Sequence, residues 1–152
     1  MTSLCWNPAV ATMFTVTFTD GSLALYSVKD EPVCLTLPPA EGILATSWSP
    51  KGKQLVAARQ DGSLTQYKPD LKAAKTVPGP PPNGAAALVP VSVHWVSTYE
   101  FLVGYLDMSD PDARPGLWMV KGSKAGTVTH VNYDDICYST GSYGHFALVV
   151  QK

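Results

Sequence analysis

The residues most capable of chemistry are the adjacent carboxylates Asp134-Asp135, followed closely by Cys137 and His145. Two carboxylates, a thiol and an imidazole could hold a metal ion or run nucleophilic catalysis if the fold gathered them. Neighbouring residues of a strand point to opposite faces, so Asp134 and Asp135 could share a site only on a loop. A solvated acidic loop is the plainer reading. A Cys–His dyad is defined by geometry, and the spacing of Cys137 and His145 does not impose one. His94, His130 and His145 follow no ligand spacing of the kind that sets two Cys or His residues two to four apart. Gly52-Lys53 lacks both the preceding glycine and the following Ser or Thr of a phosphate loop. No catalytic residue, metal site or cofactor is therefore expected.

Binding chemistry offers more. Lys51, Lys53, Arg59, Lys68, Lys72 and Lys75 place six of the 11 basic residues in one stretch, against Asp61 and Asp70. Such a cluster could steer an acidic partner or touch an RNA backbone. On four antiparallel strands, however, these side chains would scatter over different turns and faces as ordinary solvated charges. Pro78-Gly79-Pro80-Pro81-Pro82-Asn83-Gly84 is a stiff, polyproline-like connector that an aromatic groove could recognise, or simply a link between units. Asp107 to Gly116 forms a long loop with charges of both signs, and loops on rigid scaffolds are where binding residues concentrate. Its Asp107, Asp110, Asp112 and Arg114 are the candidate protein-binding residues. Ser49-Pro50 resembles a proline-directed phosphorylation site, but Ser49-Pro50-Lys51-Gly52 is fully explained as a tight turn.

The elements that must position these residues repeat along the chain. Cys5-Trp6-Asn7-Pro8 is followed by Asp20-Gly21-Ser22-Leu23-Ala24-Leu25-Tyr26, and Ser47-Trp48-Ser49-Pro50 by Asp61-Gly62-Ser63-Leu64-Thr65-Gln66-Tyr67. Trp6 and Trp48 lie 42 residues apart, and the two Asp-Gly-Ser-Leu segments 41 apart. A period near forty with short strands and Gly turns is the signature of a β-propeller blade. Each Trp buries a large apolar area, and the proline two residues later supplies no ladder donor, so the strand ends there. Met13–Phe18 and Gln54–Ala58 read as second strands, and the Asp-Gly pairs predict two-residue hairpins into Leu23–Tyr26 and Leu64–Tyr67. Val33–Leu37 and Ala73–Val77 would be the outer strands.

A looser third copy starts at Val91-Ser92-Val93-His94-Trp95 and continues through Phe101–Tyr105, Gly116–Val120 and Thr129–Tyr133, with the Asp107–Gly116 loop replacing the hairpin turn. Phe146–Val150 looks like a strand of a fourth unit. The expected fold is all-β: a WD40-like β-propeller fragment of about three to four four-stranded antiparallel blades, over 3–39, 40–82 and 85–138, with a further blade starting at 143–152. Closed propellers use roughly four to eight blades. The chain would thus be part of a larger ring, or complete one by association, or have its open strand edges covered by something else.

Composition agrees. Hydrophobic residues make up 45% and charged residues 15%, enough for a core under a lightly charged surface. A net charge of -1 with pI near 6.2 gives no reason to expect direct nucleic-acid binding. The longest apolar stretch, Ala85 to Val96, is short and broken by Pro90, Ser92 and His94, so no membrane span is expected. No basic region followed by an apolar run opens the chain, so no secretory signal is expected either. Cys5, Cys34 and Cys137 form no disulfide framework and suit a reducing compartment.

The ordered combination of these segments resembles one family. Trp48 to Leu55, Trp6-Asn7-Pro8 with Asp20-Gly21-Ser22, Cys34-Leu35-Thr36-Leu37-Pro38, Gln66-Tyr67-Lys68-Pro69, Lys75-Thr76-Val77-Pro78 and Val93 to Tyr99 are similar to middle blades of the N-terminal seven-bladed propeller of the CAN family of cytoplasmic-face FG nucleoporins. The resemblance is good over 3–105 and weaker beyond. It implies a non-enzymatic role: tethering a DEAD-box RNA helicase at the cytoplasmic side of the nuclear pore, beside other pore proteins, in support of messenger RNA export. The family's helicase-contacting loops lie mainly in later blades, so no helicase-binding residue is carried onto this sequence. The family's Phe-Gly tails have no counterpart here, since the sequence contains no Phe-Gly dipeptide. A generic WD40-like adaptor unrelated to the pore is the alternative.

Overall fold

The computed structural model of the chain describes residues 2–79, 88–97, 99–109, 112, 116–121 and 128–130. These residues form three four-stranded antiparallel sheets, each taken up in strict chain order. The first holds β1 (Ser3–Trp6), β2 (Met13–Thr17), β3 (Leu23–Ser27) and β4 (Val33–Leu37). The second holds β5 (Ile43–Trp48), β6 (Leu55–Arg59), β7 (Leu64–Tyr67) and β8 (Ala73–Val77). The third holds β9 (Leu88–Ser97), β10 (Glu100–Asp107), β11 (Gly116–Lys121) and β12 (Val128–His130). The expected strand at 146–150 and the Asp134, Asp135, Cys137 and His145 group lie outside the described residues.

The turns show why the sequence folds this way, and they correct one expectation. A two-residue hairpin of the type Asp-Gly favours needs positive φ at both central residues. Here only the glycines have it: Gly21 at 86° and Gly62 at 89°. Gly21 N–H bonds Phe18 O at 3.1 Å and Phe18 N–H bonds Ser22 O at 3.0 Å, with Gly62, Arg59 and Ser63 repeating the pattern. Each hairpin is thus a three-residue turn closed by a left-handed glycine. The aspartate carboxylate selects this form by accepting from the backbone and hydroxyl of the serine two residues on, at 2.9 and 2.6 Å for Asp20 and Ser22.

Two hydrophobic layers hold the sheets together. Leu23 and Leu25 of the first sheet pack against Ile43, Trp48, Leu55, Ala57 and Tyr67 of the second. Val56, Ala58, Leu64 and Val77 of the second pack against Val93, Phe101, Val103, Tyr105 and Val120 of the third. Alternating residues of β6 therefore enter different layers, and Leu55, Val56, Ala57 and Ala58 are all completely buried. That explains an uninterrupted apolar run in an antiparallel sheet: β6 has no solvent face. Burying such side chains is worth about 1.5–3 kcal/mol for each Leu or Val.

The first strand of the third unit begins before Val91, where the sequence placed its start, and takes in Pro90. Pro90 lies inside β9, opposite Tyr105, where the register shifts between Gly104 and Tyr105. β9 is an edge strand of its sheet and the proline sits at the bulge, so the missing N–H costs no regular ladder bond.

Candidate functional site

The topology sorts the polar residues onto two opposite ends of the sheets. One end carries the Asp-x-Ser turns. Ser63 donates from its backbone to Asp61 Oδ1 at 2.9 Å and also from its hydroxyl at 2.5 Å. Ser109 does the same to Asp107, at 2.9 and 2.6 Å. The third unit therefore opens its long loop with the clasp found in the other two, although glycine is replaced by Met108. An Asp-x-Ser repeat at 20, 61 and 107 was the available signal for this. The Ser22 hydroxyl holds the Asp20 carboxyl below the usual carboxylate range, and the Ser109 hydroxyl does so for Asp107. At Asp61, burial works the other way, yet the Ser63 hydroxyl and amide together bring the carboxyl down. Asp107 is thus partly committed to its own turn. Met108 is 63% exposed and Asp112 is exposed, while Asp110 and Arg114 lie outside the described residues.

The six clustered basic residues are divided by the fold. Arg59 sits at the Asp-x-Ser end. Its Nε donates to Glu41 O at 2.9 Å and its Nη2 lies 3.3 Å from Glu41 Oε2. Tyr67 hydroxyl donates to the same carboxylate oxygen at 3.2 Å. Burial first, then the Glu41 charge, pushes the Tyr67 phenol up to about 12. This triad ties the link between the first two sheets, a short 3-10 turn over Pro39–Glu41, to the middle sheet. Arg59 is structural. Lys75 lies midway along β8 opposite Gln66.

The other four lysines converge. Trp48, Leu55, Tyr67 and Ala73 form one cross-strand row at the opposite end of the middle sheet. Lys51 and Lys53 lie on the β5–β6 turn and Lys68 and Lys72 on the β7–β8 turn, all just beyond that row and all exposed. Both turns are clasped. Buried Ser49 accepts on its Oγ from Lys53 and Gln54 N–H at 3.1 Å each, which occupies the hydroxyl a kinase would need. Lys68 N–H bonds Lys72 O at 3.0 Å, with Leu71 at φ 59° and its side chain buried. Asn7, also buried, joins the first sheet to this end: its Oδ1 accepts from Ala9 and Val10 N–H at 2.9 and 3.1 Å, and its Nδ2 donates to Gly52 O at 3.0 Å.

Between these ends, β1, β5 and β9 line a groove of about 310 Å³ that includes Thr46, Ser92 and His94. Among the described residues no group of three or more His, Cys, Asp or Glu could hold a metal ion, and no helix is long and apolar enough to cross a membrane. His130 lies in β12, apart from His94 in β9.

Comparison with known proteins follows the same lines. The NUP159/214 beta propeller family matches residues 1–146. Nuclear pore complex protein Nup214 of Drosophila melanogaster is 36% identical over 138 residues, covering 90% of this chain and 8% of that protein. Nup214 of Homo sapiens is 36% identical over 142 residues, covering 89% of this chain and 7% of that protein. The chain thus spans less than a tenth of the length of these curated relatives. The crystal structure of the Myceliophteria thermophila Cps50 (Swd1) β-propeller domain superposes with a TM-score of 0.58 at 13% identity, covering 91% of this chain and 39% of that one. That likeness shows a shared propeller fold, in agreement with the all-β, four-stranded repeat read from the sequence.

Proposed function

The chain belongs to the NUP159/214 β-propeller family, and from that membership we propose that it is a non-enzymatic scaffold at the cytoplasmic face of the nuclear pore. It forms part of a propeller that tethers a DEAD-box RNA helicase and so supports messenger RNA export. The observation that carries this reading is the family match along residues 1–146, joined to 36% identity with two Nup214 proteins over about nine-tenths of the chain.

The architecture suits the role. Sheets joined by two continuous apolar layers and by hydrogen bonds such as Tyr105 hydroxyl to Gly62 O at 2.8 Å hold their turns rigidly, which is what a tether needs. The helicase contacts later blades of the propeller, and the loop opened by Asp107, with Asp110, Asp112 and Arg114, faces neighbouring pore proteins.

Immunogold labelling of the full-length protein in the cells that make it, with co-precipitation of the helicase, tests this. Label on the cytoplasmic filaments, helicase in the precipitate and nuclear retention of polyadenylated RNA on depletion are expected. Label away from the pore, or a precipitate without the helicase, would refute it. Charge reversal of Asp112 and Arg114 together should release a neighbouring pore protein while leaving the helicase bound.

A further inference from the structure

We propose that the end of the middle sheet bearing Lys51, Lys53, Lys68 and Lys72 is a docking surface for an acidic peptide segment studded with aliphatic residues. Four separated positions in the sequence become one patch because antiparallel pairing puts the β5–β6 and β7–β8 turns at the same end, beyond the row of Trp48, Leu55, Tyr67 and Ala73. Two strand spacings separate the turns, about 10 Å, which is close to the screening length of about 8–10 Å in physiological salt. An anionic segment laid across both turns therefore feels all four charges at once.

Among the described residues the only carboxylate paired with these lysines is Asp70, 3.9 Å from Lys72 and itself half exposed. Four lysines against one aspartate, on a chain of net charge -1, make a local excess of positive charge that composition does not supply. The backbone beneath it is fixed by the Ser49 clasp, the Lys68–Lys72 bond and the Asn7–Gly52 bond, so little loop ordering is needed on binding.

The patch also has an apolar margin. Ala9 and Val10 sit on the Asn7 turn that is bonded to Gly52, and Val28 is tied beside it through its N–H to Thr12 O at 2.9 Å. Val10 is 40% and Val28 50% exposed. Asp20, Asp61 and Asp107 occupy the equivalent turns at the other end of the sheets, while at the lysine end the β3–β4 turn sets Lys29 against Asp30 and Glu31, so the positive excess is confined to the two turns of the middle sheet and it is there that an acidic segment is drawn. Peptide is favoured over nucleic acid by the character of the cations. All four cations are lysines, which lack the planar fork that grips phosphate in two places.

The test is fluorescence anisotropy of the full chain with a labelled 14-residue peptide alternating Glu with Leu or Val, in low and in physiological salt. Binding should tighten at low salt and weaken about tenfold or more in K51E/K53E/K68E, with several-fold weakening in V10S. The neutral set K51A/K53A/K68A reads the same surface should the reversal disturb folding, which near-UV circular dichroism reports. A fifteen-nucleotide oligouridylate should not displace the peptide. Affinity within twofold of wild type in the neutral set, no binding at all, or displacement by the RNA at equal concentration would each overturn the proposal, the last by making the patch a nucleic-acid surface.

Discussion

Trp48 donates its indole N–H to the backbone carbonyl of Cys5 at 3.2 Å, so the tryptophan of the second repeat bonds the first strand of the first. Trp48 is 5% exposed in the layer between the sheets, whereas Trp6, its equivalent one repeat earlier, is 54% exposed and rests on Phe14 with ring centroids 4.8 Å apart. Two residues of the same type and repeat position should therefore differ sharply in worth. Trp48→Ala is expected to cost about 3–5 kcal/mol, and Trp6→Ala clearly less. Trp48→Phe, which keeps a ring but removes the donor, should lose about 1 kcal/mol for the bond plus a smaller packing loss. Urea unfolding of the three variants checks the order, and equal losses for Trp6→Ala and Trp48→Ala would contradict it.

The three Asp-x-Ser clasps predict a shared acid limb. Asp20, Asp61 and Asp107 all have carboxyls held below their ordinary value by serine. A carboxyl lowered by folding adds stability that is complete above its unfolded pKa, about 3.9, and is lost as pH falls through the lower folded value. Melting temperature should drop as pH is lowered from about 5 to 2, and the drop should flatten in D20A/D61A/D107A. That variant should also be less stable than wild type at neutral pH. An unchanged acid slope would show that the clasps do not contribute to it.

Much of the architecture was legible because the repeat writes the same residues at the same places: Trp, then Pro two later, then Asp-Gly-Ser before an apolar strand. What escaped was set by three-dimensional placement. Asp-Gly suggested a two-residue turn, but the Ser22 and Ser63 hydroxyls favour the longer one by capturing the carboxylates. Asp107-Met108-Ser109 hid the same clasp because it lacks the glycine of the other two turns, while the bond is made by aspartate and serine. The basic cluster was half readable. That its members scatter held for Arg59, which pairs with Glu41, but not for the four turn lysines, whose meeting depends on strand register.

Tyr67 gives an alkaline counterpart to the acid limb. Its phenol is pushed up to about 12, by burial and then by Glu41. Burial above all raises the Tyr105 phenol as well. A raised folded pKa means the unfolded chain releases its proton first, near pH 10, so stability is full below that value and falls as pH rises toward 12. Absorbance titration at about 295 nm should show Tyr67 and Tyr105 ionising after a tyrosine in water would, with Tyr67→Phe removing one late component. Glu41→Gln should bring Tyr67 part of the way back, since burial remains. A single titration near pH 10 for all tyrosines would contradict this.

Gly52 and Asn7 form a close joint between the first two sheets, and the two should be energetically coupled. Gly52 adopts φ 65°, and a Cβ built there would strike Asn7 Oδ1 and come within 2.9 Å of Ala9 Cβ. Gly52→Ala therefore carries both backbone strain and a clash, for a loss of about 2 kcal/mol or more. Asn7→Ala strips acceptors from Ala9 and Val10 N–H and a donor from Gly52 O, costing about 1–3 kcal/mol. In the double variant the Asn7 clash is gone while the Ala9 contact and the strain persist. The combined loss should thus fall short of the sum by about 0.5–3 kcal/mol. Strict additivity in a denaturant cycle would mean that the Gly52 turn moves away from Asn7 instead of meeting it, and the joint would not be rigid.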